Sequence, residues 1–193
     1  MAIAIKKTVP ISEGGNVLSS SLSTAEGAQL TSEKPKPRPS ISVREPLLSE
    51  ILNKVHGAKT KAQKIKILKE EDCSALRQIC QWSFNPKIES ELPSGTPPYI
   101  ENDAPEGTEH TLLRTEGDSL WHYVKTNGKS ADPNLQSTVR ERMFIRLLEG
   151  LYKDEAKLLC EVKEKSLHQV YKGLSTQVVS EAFGWNEDFQ EYK

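Results

Sequence analysis

The sequence predicts an all-α protein, a compact bundle of about six or seven short helices behind a disordered N-terminal arm. Apolar residues recur at spacings of three and four through most of the chain after residue 46. No segment alternates apolar and polar residues as a half-buried strand does. The first 46 residues, in contrast, contain no Phe, Trp or Tyr. These three observations together favour a helical body preceded by an unstructured segment.

Residues 1–45 form the predicted arm. They include SSSLSTAEG and KPKPRPS, and the alternating prolines of the second stretch favour an extended backbone. Such a segment buries too little apolar surface to offset the entropy lost on ordering. We therefore expect a solvated leader, or alternatively a docking arm that orders only on a partner.

The helical domain is predicted to span residues 46–185 and to open with three amphipathic helices. Gly57 is expected to stop the first in a left-handed conformation, and Thr60 to cap the second. The third runs over 73–84 and ends at Asn85-Pro86, since the residue before proline disfavours helix. The residues predicted to face inward are Leu47, Leu48, Ile51, Leu52, Val55, Ile65, Leu68, Leu76, Ile79, Cys80 and Phe84.

A long loop interrupts the helices at residues 92–109. The stretch ELPSGTPPYIENDAPEGTE holds four prolines and two glycines. It exceeds the roughly 12–15 residues usual for a connection without secondary structure. We expect this loop to have a function or to wrap the surface, with Tyr99 as its candidate protein-binding residue.

The second half of the domain predicts three or four more helices. HTLLRTEGDSLWHYVK reads as one helix, weakened by Gly117, and the turn-rich TNGKSADP separates it from LQSTVRERMFIRLLEG. KDEAKLLCEVKEK begins acidic and ends basic, which suits a helix dipole. Ser175 is the expected N-cap of the last helix. The predicted inward residues are Leu113, Leu120, Trp121, Val124, Leu135, Val139, Met143, Phe144, Leu147, Leu148, Leu158, Leu159, Val162, Val178, Val179, Ala182 and Phe183.

Three aromatic residues follow the last helix among acidic side chains. Gly184 can take a left-handed turn that folds Trp185 back onto the body, although the ring could instead be offered to a partner. In the acidic tail, residues 186–193, Phe189 and Tyr192 are spaced to share one helical face. Chain ends are hard to hold in a core, so we expect docking of this tail into a partner, or fraying in solvent. Trp185, Phe189 and Tyr192 join Tyr99 as candidate protein-binding residues.

The sequence offers no constellation typical of an enzyme, a metal site or a cofactor site. Cys73 and Cys80 lie about 10 Å apart along one helix, too far to share a zinc ion. GKS at 128–130 resembles the end of a phosphate loop, but Tyr123 occupies the position of the required glycine. Cys160 sits on the apolar face of a helix, which favours packing over nucleophilic chemistry. We predict no catalytic residues, no metal and no cofactor.

Nucleic-acid binding is the alternative function that the charges suggest. The net charge is only −1, but six lysines crowd the sixteen-residue span from Lys54 to Lys69. The candidate nucleic-acid-binding residues among them are Lys59, Lys61, Lys64, Lys66 and Lys69. Glu70, Glu71 and Asp72 follow at once and no aromatic residue interleaves for stacking, as on an ordinary solvated face. A later predicted helix carries a second group of cations, Arg140, Arg142 and Arg146. We expect them to form exposed ion pairs that contribute little stability.

The expected location is intracellular, without a membrane. No run reaches the roughly 18 apolar residues of a membrane-spanning helix. The first apolar stretch, in MAIAIKKTVP, is too short for a secretory signal, and its lysines follow that stretch.

Several segments resemble one family of phage proteins. RERMFIRLLEGLYKDEAKLLCEVKEK, YKGLSTQVVSEAFGWNEDF, SALRQICQWSFNP and LPSGTPPYIENDAPEGTEHT are similar to small uncharacterised proteins of contractile-tailed phages that infect marine cyanobacteria. The resemblance covers about residues 47–189 and leaves out the arm. It implies a phage protein in the cytoplasm of the infected bacterium, or in the virion, and it carries no catalytic residues.

The leading hypothesis is therefore a non-catalytic helical adaptor or accessory factor that binds a phage or host protein. The alternatives are an accessory nucleic-acid-binding protein of phage replication or transcription, and a minor virion component.

Overall fold

The computed structural model describes residues 44–105, 109–186 and 189–190. Apart from its last two residues, the predicted arm lies outside the described residues. The helices are α1 (Leu48–Gly57), α2 (Lys61–Glu70), α3 (Ser74–Phe84), α4 (Leu113–Glu116), α5 (Ser137–Gly150), α6 (Lys153–Lys163), α7 (Leu167–Val170) and α8 (Thr176–Phe183). A 3₁₀ helix (Gly117–Tyr123) follows α4, and the strands are β1 (Ile88–Ser90), β2 (Val124–Thr126) and β3 (Lys129–Ser130). The mostly helical architecture is confirmed, whereas the strictly all-α prediction is wrong because of these strands.

The strands form a small antiparallel sheet in the order β1-β2-β3. Asn127 and Gly128 connect β2 to β3 with φ angles of 51° and 74°. A two-residue turn with both residues left-handed matches the twist of a hairpin, and Asn-Gly is its most favourable sequence. The strands are only two or three residues long. Such short strands cannot show the period-two pattern by which strands are recognised in a sequence.

The first three helices confirm the predicted inward face. Apart from Phe84, which is half-buried, every residue assigned to it is at most 9% exposed. Thr60 caps α2, since its Oγ1 accepts the Gln63 amide at 3.2 Å. The left-handed stop at Gly57 is wrong, because α1 instead ends by passing into an extended Ala58 with φ −70° and ψ 133°.

The predicted helix around residues 110–125 is divided into α4, the 3₁₀ helix and β2. Leu113, Leu120 and Val124 are buried as expected, but Trp121 is 44% exposed. A 3₁₀ helix has three residues per turn, so Leu120 and Tyr123 share the inward face and Trp121 turns away from it. The inward assignment of Trp121 is therefore wrong.

The three predicted helices of this region correspond to α5, α6 and α8, whereas the short α7 was not predicted. Phe144, Leu148, Leu159 and Val179 are at most 1% exposed, and the side chain of Ser175 caps α8. The departures concern α5 alone: Val139 and Met143 are only half-buried, and Leu135, also half-buried, lies before the helix begins.

The buried carboxylate of Glu155 on α6 joins two helix beginnings. It accepts the amide of Leu48, the first residue of α1, at 3.0 Å, and that of Leu113, the first residue of α4, at 3.1 Å. Amides at a helix start have no partner within their helix, and an anion there also interacts favourably with the helix dipole. Burial raises the pKa of Glu155, while the two amides act in the opposite direction. One side chain thus fixes α1 and α4 against α6.

Glu155→Gln is expected to destabilise the protein by about 1–3 kcal/mol, because an amide has one acceptor oxygen and leaves one buried N–H without a partner. A raised pKa in the folded state gives stability that is present below the ordinary carboxyl pKa and is lost as pH rises through the folded-state value. Glutamine does not titrate. The loss of unfolding free energy in the variant, relative to the wild type, should therefore be larger at pH 5 than at pH 8. Urea denaturation at both pH values measures this, and equal deficits would contradict it.

A second constraint is the close approach of Gly117 to α3. A Cβ on Gly117 would lie 2.3 Å from Cβ and 2.4 Å from Cα of Ala75. Gly117→Ala should therefore cost about 1–3 kcal/mol or more through overpacking. Gly57→Ala is the matched control, since a Cβ there meets nothing within 4 Å; alanine in its helical backbone should be neutral or stabilising by up to about 1 kcal/mol. Similar urea midpoints for the two variants would refute the close-packing argument.

Candidate interaction surface

The predicted loop is held in place by polar side chains of α5 and α6. Lys163, which is 5% exposed, donates from Nζ to the carbonyl of Pro93 at 2.7 Å. Its neighbour Glu164 accepts the Gly95 amide at 2.9 Å. Further along, Glu149 accepts the Ile100 amide at 3.4 Å. The described part of the loop, residues 92–105 and 109, contains no helix or strand, and these contacts fix residues 92–105 as a surface.

Lys163 and Glu164 also contact each other through Nζ and Oε1. The hydrogen bond from Lys163 lowers the pKa of Glu164, and the Gly95 amide acts in the same direction. Both effects keep Glu164 ionised and oriented toward the loop.

The outer side of this loop presents apolar groups to solvent. Ile100 is 79% exposed, and Pro93 and Pro98 are also exposed. Tyr99, the residue that the sequence singled out, is half-buried against the core, and burial raises the pKa of its hydroxyl. Among the described residues, the most exposed large hydrophobic side chain is thus Ile100, the neighbour of the predicted Tyr99. No periodicity marks it, because the loop has none.

A cleft of about 340 Å³ lies between the loop and α5. Its walls are mostly apolar, and the residues that matter here are Leu92, Pro97, Glu141, Phe144 and Ile145. Glu141 is the carboxylate of this lining. The loop therefore combines an exposed ridge with an apolar recess beside it.

The start of the loop is tied to α5 by Arg140, which is 6% exposed. Its guanidinium pairs with Glu91 at 2.7 Å and donates to the carbonyls of His122 at 2.8 Å and Asp132 at 3.0 Å. Glu91 in turn donates its amide to the carbonyl of Tyr123 at 2.9 Å. The prediction that Arg140 forms an exposed surface ion pair is therefore wrong, because its buried guanidinium links the start of the loop to α5.

The aromatic residues after α8 pack onto the body. Gly184 has φ 67°, as predicted, and Trp185 is 5% exposed beside Phe183, with ring centroids 4.8 Å apart. Phe189 is 6% exposed, and its carbonyl accepts from Gln81 Nε2 at 2.8 Å. Phe189 has a φ of 56°, which is typical of a turn. The prediction that Phe189 lies on an exposed helical face is therefore wrong. Tyr192 lies outside the described residues, and binding of a partner by this segment stays a prediction.

The lysine-rich helix, α2, is less available than its sequence indicates. Lys64 is 8% exposed and donates from Nζ to the carbonyls of Val55 at 2.6 Å and Lys172 at 3.2 Å. The prediction that Lys64 belongs to a nucleic-acid-binding surface is therefore wrong, because its ammonium is used to hydrogen-bond the C-terminal end of α1. Lys61 pairs with Glu181 at 2.6 Å and Lys66 with Glu70 at 3.6 Å. Lys59 and Lys69 are exposed.

The structure also places the candidate reactive groups. Cys160 is 7% exposed, and burial raises the pKa of its thiol to about 11. It packs in the core as expected and is protonated at neutral pH. In the part of the chain that the structure describes, no three His, Cys, Asp or Glu side chains gather in a way that could hold a metal ion. No described helix is long and apolar enough to cross a bilayer.

The fold and this surface define a small, mostly helical protein with a rigid, irregular loop. Residues 51–169 match the model of a family of unknown function, DUF6433, and the chain belongs to this family. The matched region contains the loop and ends before the aromatic segment at 184–190. No curated protein is significantly similar to the chain.

Lys163→Met should loosen the loop while preserving the apolar stem of the side chain. Without the ammonium, the Pro93 carbonyl loses its partner and Glu164 loses the cation that orients it toward Gly95. We expect the Gly95 amide to exchange about tenfold faster, as for the loss of roughly 1–2 kcal/mol of local stability. Native-state hydrogen exchange measures this.

Lys157→Met is the matched control on the same helix. Lys157 is an exposed residue whose ion pair with Glu101 spans 3.7 Å, so its loss should leave Gly95 protection unchanged. Equal protection of Gly95 in the wild type and in the Lys163 variant would refute the anchoring role.

Proposed function

We propose that this protein is a non-catalytic helical adaptor or accessory factor that binds another protein through residues 92–105. The observation that carries the proposal is a loop that hydrogen bonds from the buried Lys163 and to Glu164 and Glu149 hold in place, yet that presents Ile100 at 79% exposure. Ordering a loop in advance lowers the entropy lost on binding. An exposed apolar side chain on a rigid support is the kind of group that anchors protein interfaces.

The apolar recess beside the ridge adds a second contact for the same partner. A partner side chain could enter between Pro97 and Ile145 while its surface covers Ile100. Such an anchor in a pocket, with surrounding contacts that exclude water, concentrates binding energy in few residues. We place the centre of the interface here rather than at Trp185 and Phe189, whose rings are already buried.

The proposed setting is the cytoplasm of a phage-infected bacterium, or the virion. The resemblance of several segments to proteins of cyanobacterial phages supports this setting. The partner is accordingly a phage or host protein. The nucleic-acid alternative is weakened by the burial of Lys64 and by the ion pairs of Lys61 and Lys66.

Ile100→Asp should abolish capture of the partner from a lysate of infected host cells, because a desolvated carboxylate in an apolar interface is strongly unfavourable. Stability should stay within about 0.5 kcal/mol, since this side chain lies in solvent. Affinity purification with the full chain, read by quantitative mass spectrometry, compares the proteins retained.

Val170→Asp is the matched control, because Val170 is a second exposed apolar residue, at 46%, outside the loop. It should retain the same proteins as the wild type. If both variants, or neither, lose the captured protein while remaining folded, this loop is not the interface.

A further inference from the structure

The chemistry of the cleft between the loop and α5 indicates which side chain a partner inserts there, provided that residues 92–105 form the interface proposed above. Proline rings of the loop and the side chains of Leu92, Phe144 and Ile145 make up most of its walls. The charged residues of the lining are Glu141 and Lys163. In a mostly apolar cleft, a few polar groups decide which ligand is accepted. The charge that the cleft offers to a ligand therefore depends on what these two side chains already contact.

Glu141 lies on the face of α5 that lines the cleft and is half-buried. Phe144 and Ile145 follow it by three and four residues, so the three share one side of the helix. Its Oε1 accepts the hydroxyl of Ser137, one turn earlier, at 3.2 Å. The other near neighbour on this side is Thr138, so α5 places no cation beside the carboxylate. Among the residues that the structure describes, no lysine, arginine or histidine forms an ion pair with Glu141.

The ammonium of Lys163 does not neutralise Glu141, because it is already engaged elsewhere. Lys163 is 5% exposed, and its Nζ donates to the carbonyl of Pro93 at 2.7 Å. The same Nζ contacts Oε1 of Glu164, which balances its charge. Glu164 is not part of the cleft lining. The charge that the cleft presents to a ligand is therefore the negative charge of Glu141.

The loop beside the cleft adds negative charge to the same surface. Residues 92–105 include two carboxylates, Glu101 and Asp103, and no lysine or arginine. Both residues are exposed. Glu101 pairs with Lys157 across 3.7 Å, whereas Asp103 has no ion-pair partner in the described part of the chain. The surface around the apolar recess is therefore acidic, although the chain as a whole is close to neutral.

We propose that the cleft receives a lysine or arginine side chain of the partner protein, with its apolar stem against Pro97 and Ile145 and its cationic end at Glu141. Lysine and arginine bury their methylene groups along apolar surface while the charged end keeps a polar partner. A purely apolar side chain would remove water from the Glu141 carboxylate without replacing its hydrogen bonds, and an acidic side chain would be repelled. The carboxylate thus selects a cationic side chain, and the acidic surface around it favours a basic segment of the partner.

The test is an NMR titration of the full chain at low ionic strength with three small probes. They are the Nα-acetyl amides of lysine, arginine and norleucine. Norleucine keeps the four-carbon stem of lysine without its charge, so the comparison isolates the contribution of Glu141. The backbone amides of Thr96 and Ile145, on opposite walls of the cleft, report binding. We expect saturable shifts, with at least one cationic probe bound about tenfold more tightly than norleucine and weakened by added salt.

Glu141→Gln should remove this preference, because glutamine keeps an acceptor for the Ser137 hydroxyl but carries no charge. Glu181→Gln is the matched control, since Glu181 is an exposed carboxylate on α8 outside the cleft lining. It should retain the preference of the wild type, and urea midpoints confirm that both variants fold. The proposal fails if no probe produces saturable shifts, if norleucine binds as tightly as both cations, or if the two variants show the same preference.

The probes contain no partner protein, so their result is separate from capture by the loop. If Ile100→Asp abolishes capture but no cationic preference is found, the loop is an interface and the cation site is refuted. If the preference is found and depends on Glu141, the cation site is supported even where Ile100→Asp leaves capture unchanged.

Discussion

The double hydrogen bond of Glu155 is the constraint on which the arrangement of the domain depends. A carboxylate that is fully buried is unfavourable by itself, and the raised pKa records that cost. The two amides that it accepts would otherwise be buried donors without partners, each costing about 1–3 kcal/mol. Burial of the carboxylate and burial of the two amides are therefore each unfavourable alone, and the hydrogen bonds between them offset both costs. This interdependence fixes the starts of α1 and α4 relative to α6, although the three lie far apart in the sequence.

The rigidity of the loop follows from that constraint. Its far end leads into α4, which Glu155 holds, and its near end leaves β1, which is paired with β2. Gly117, at the start of the 3₁₀ helix that leads to β2, is pressed against Ala75 of α3. With both ends fixed, the polar contacts of Lys163 and Glu149 only need to order the middle. This explains how a segment without secondary structure can present a defined surface.

The sequence predicts what is decided locally and misses what depends on distant partners. The stripe from Leu48 to Val55 and the caps at Thr60 and Ser175 depend on neighbours within one turn of helix, so their patterns are visible. Lys64 and Arg140 look like surface charges because their acceptors, including the carbonyl of Lys172, come from other elements. Of the candidate surface, the loop itself was predictable from length and prolines. The choice between Tyr99 and Ile100 was not, because it depends on how α5 and α6 hold the backbone.

The buried cations also explain how a chain with 36% apolar residues orders so much irregular backbone. Lys64, Arg140 and Lys163 each donate to backbone carbonyls, and Lys165 does the same at Asn85. Carbonyls in loops and at helix ends lack the partners that helices and sheets provide, and a buried donor replaces them. Of these cations, Lys64, Arg140 and Lys163 are buried, and Lys165 is half-buried. A count of cations in the sequence therefore overstates how many of them can contact an external partner.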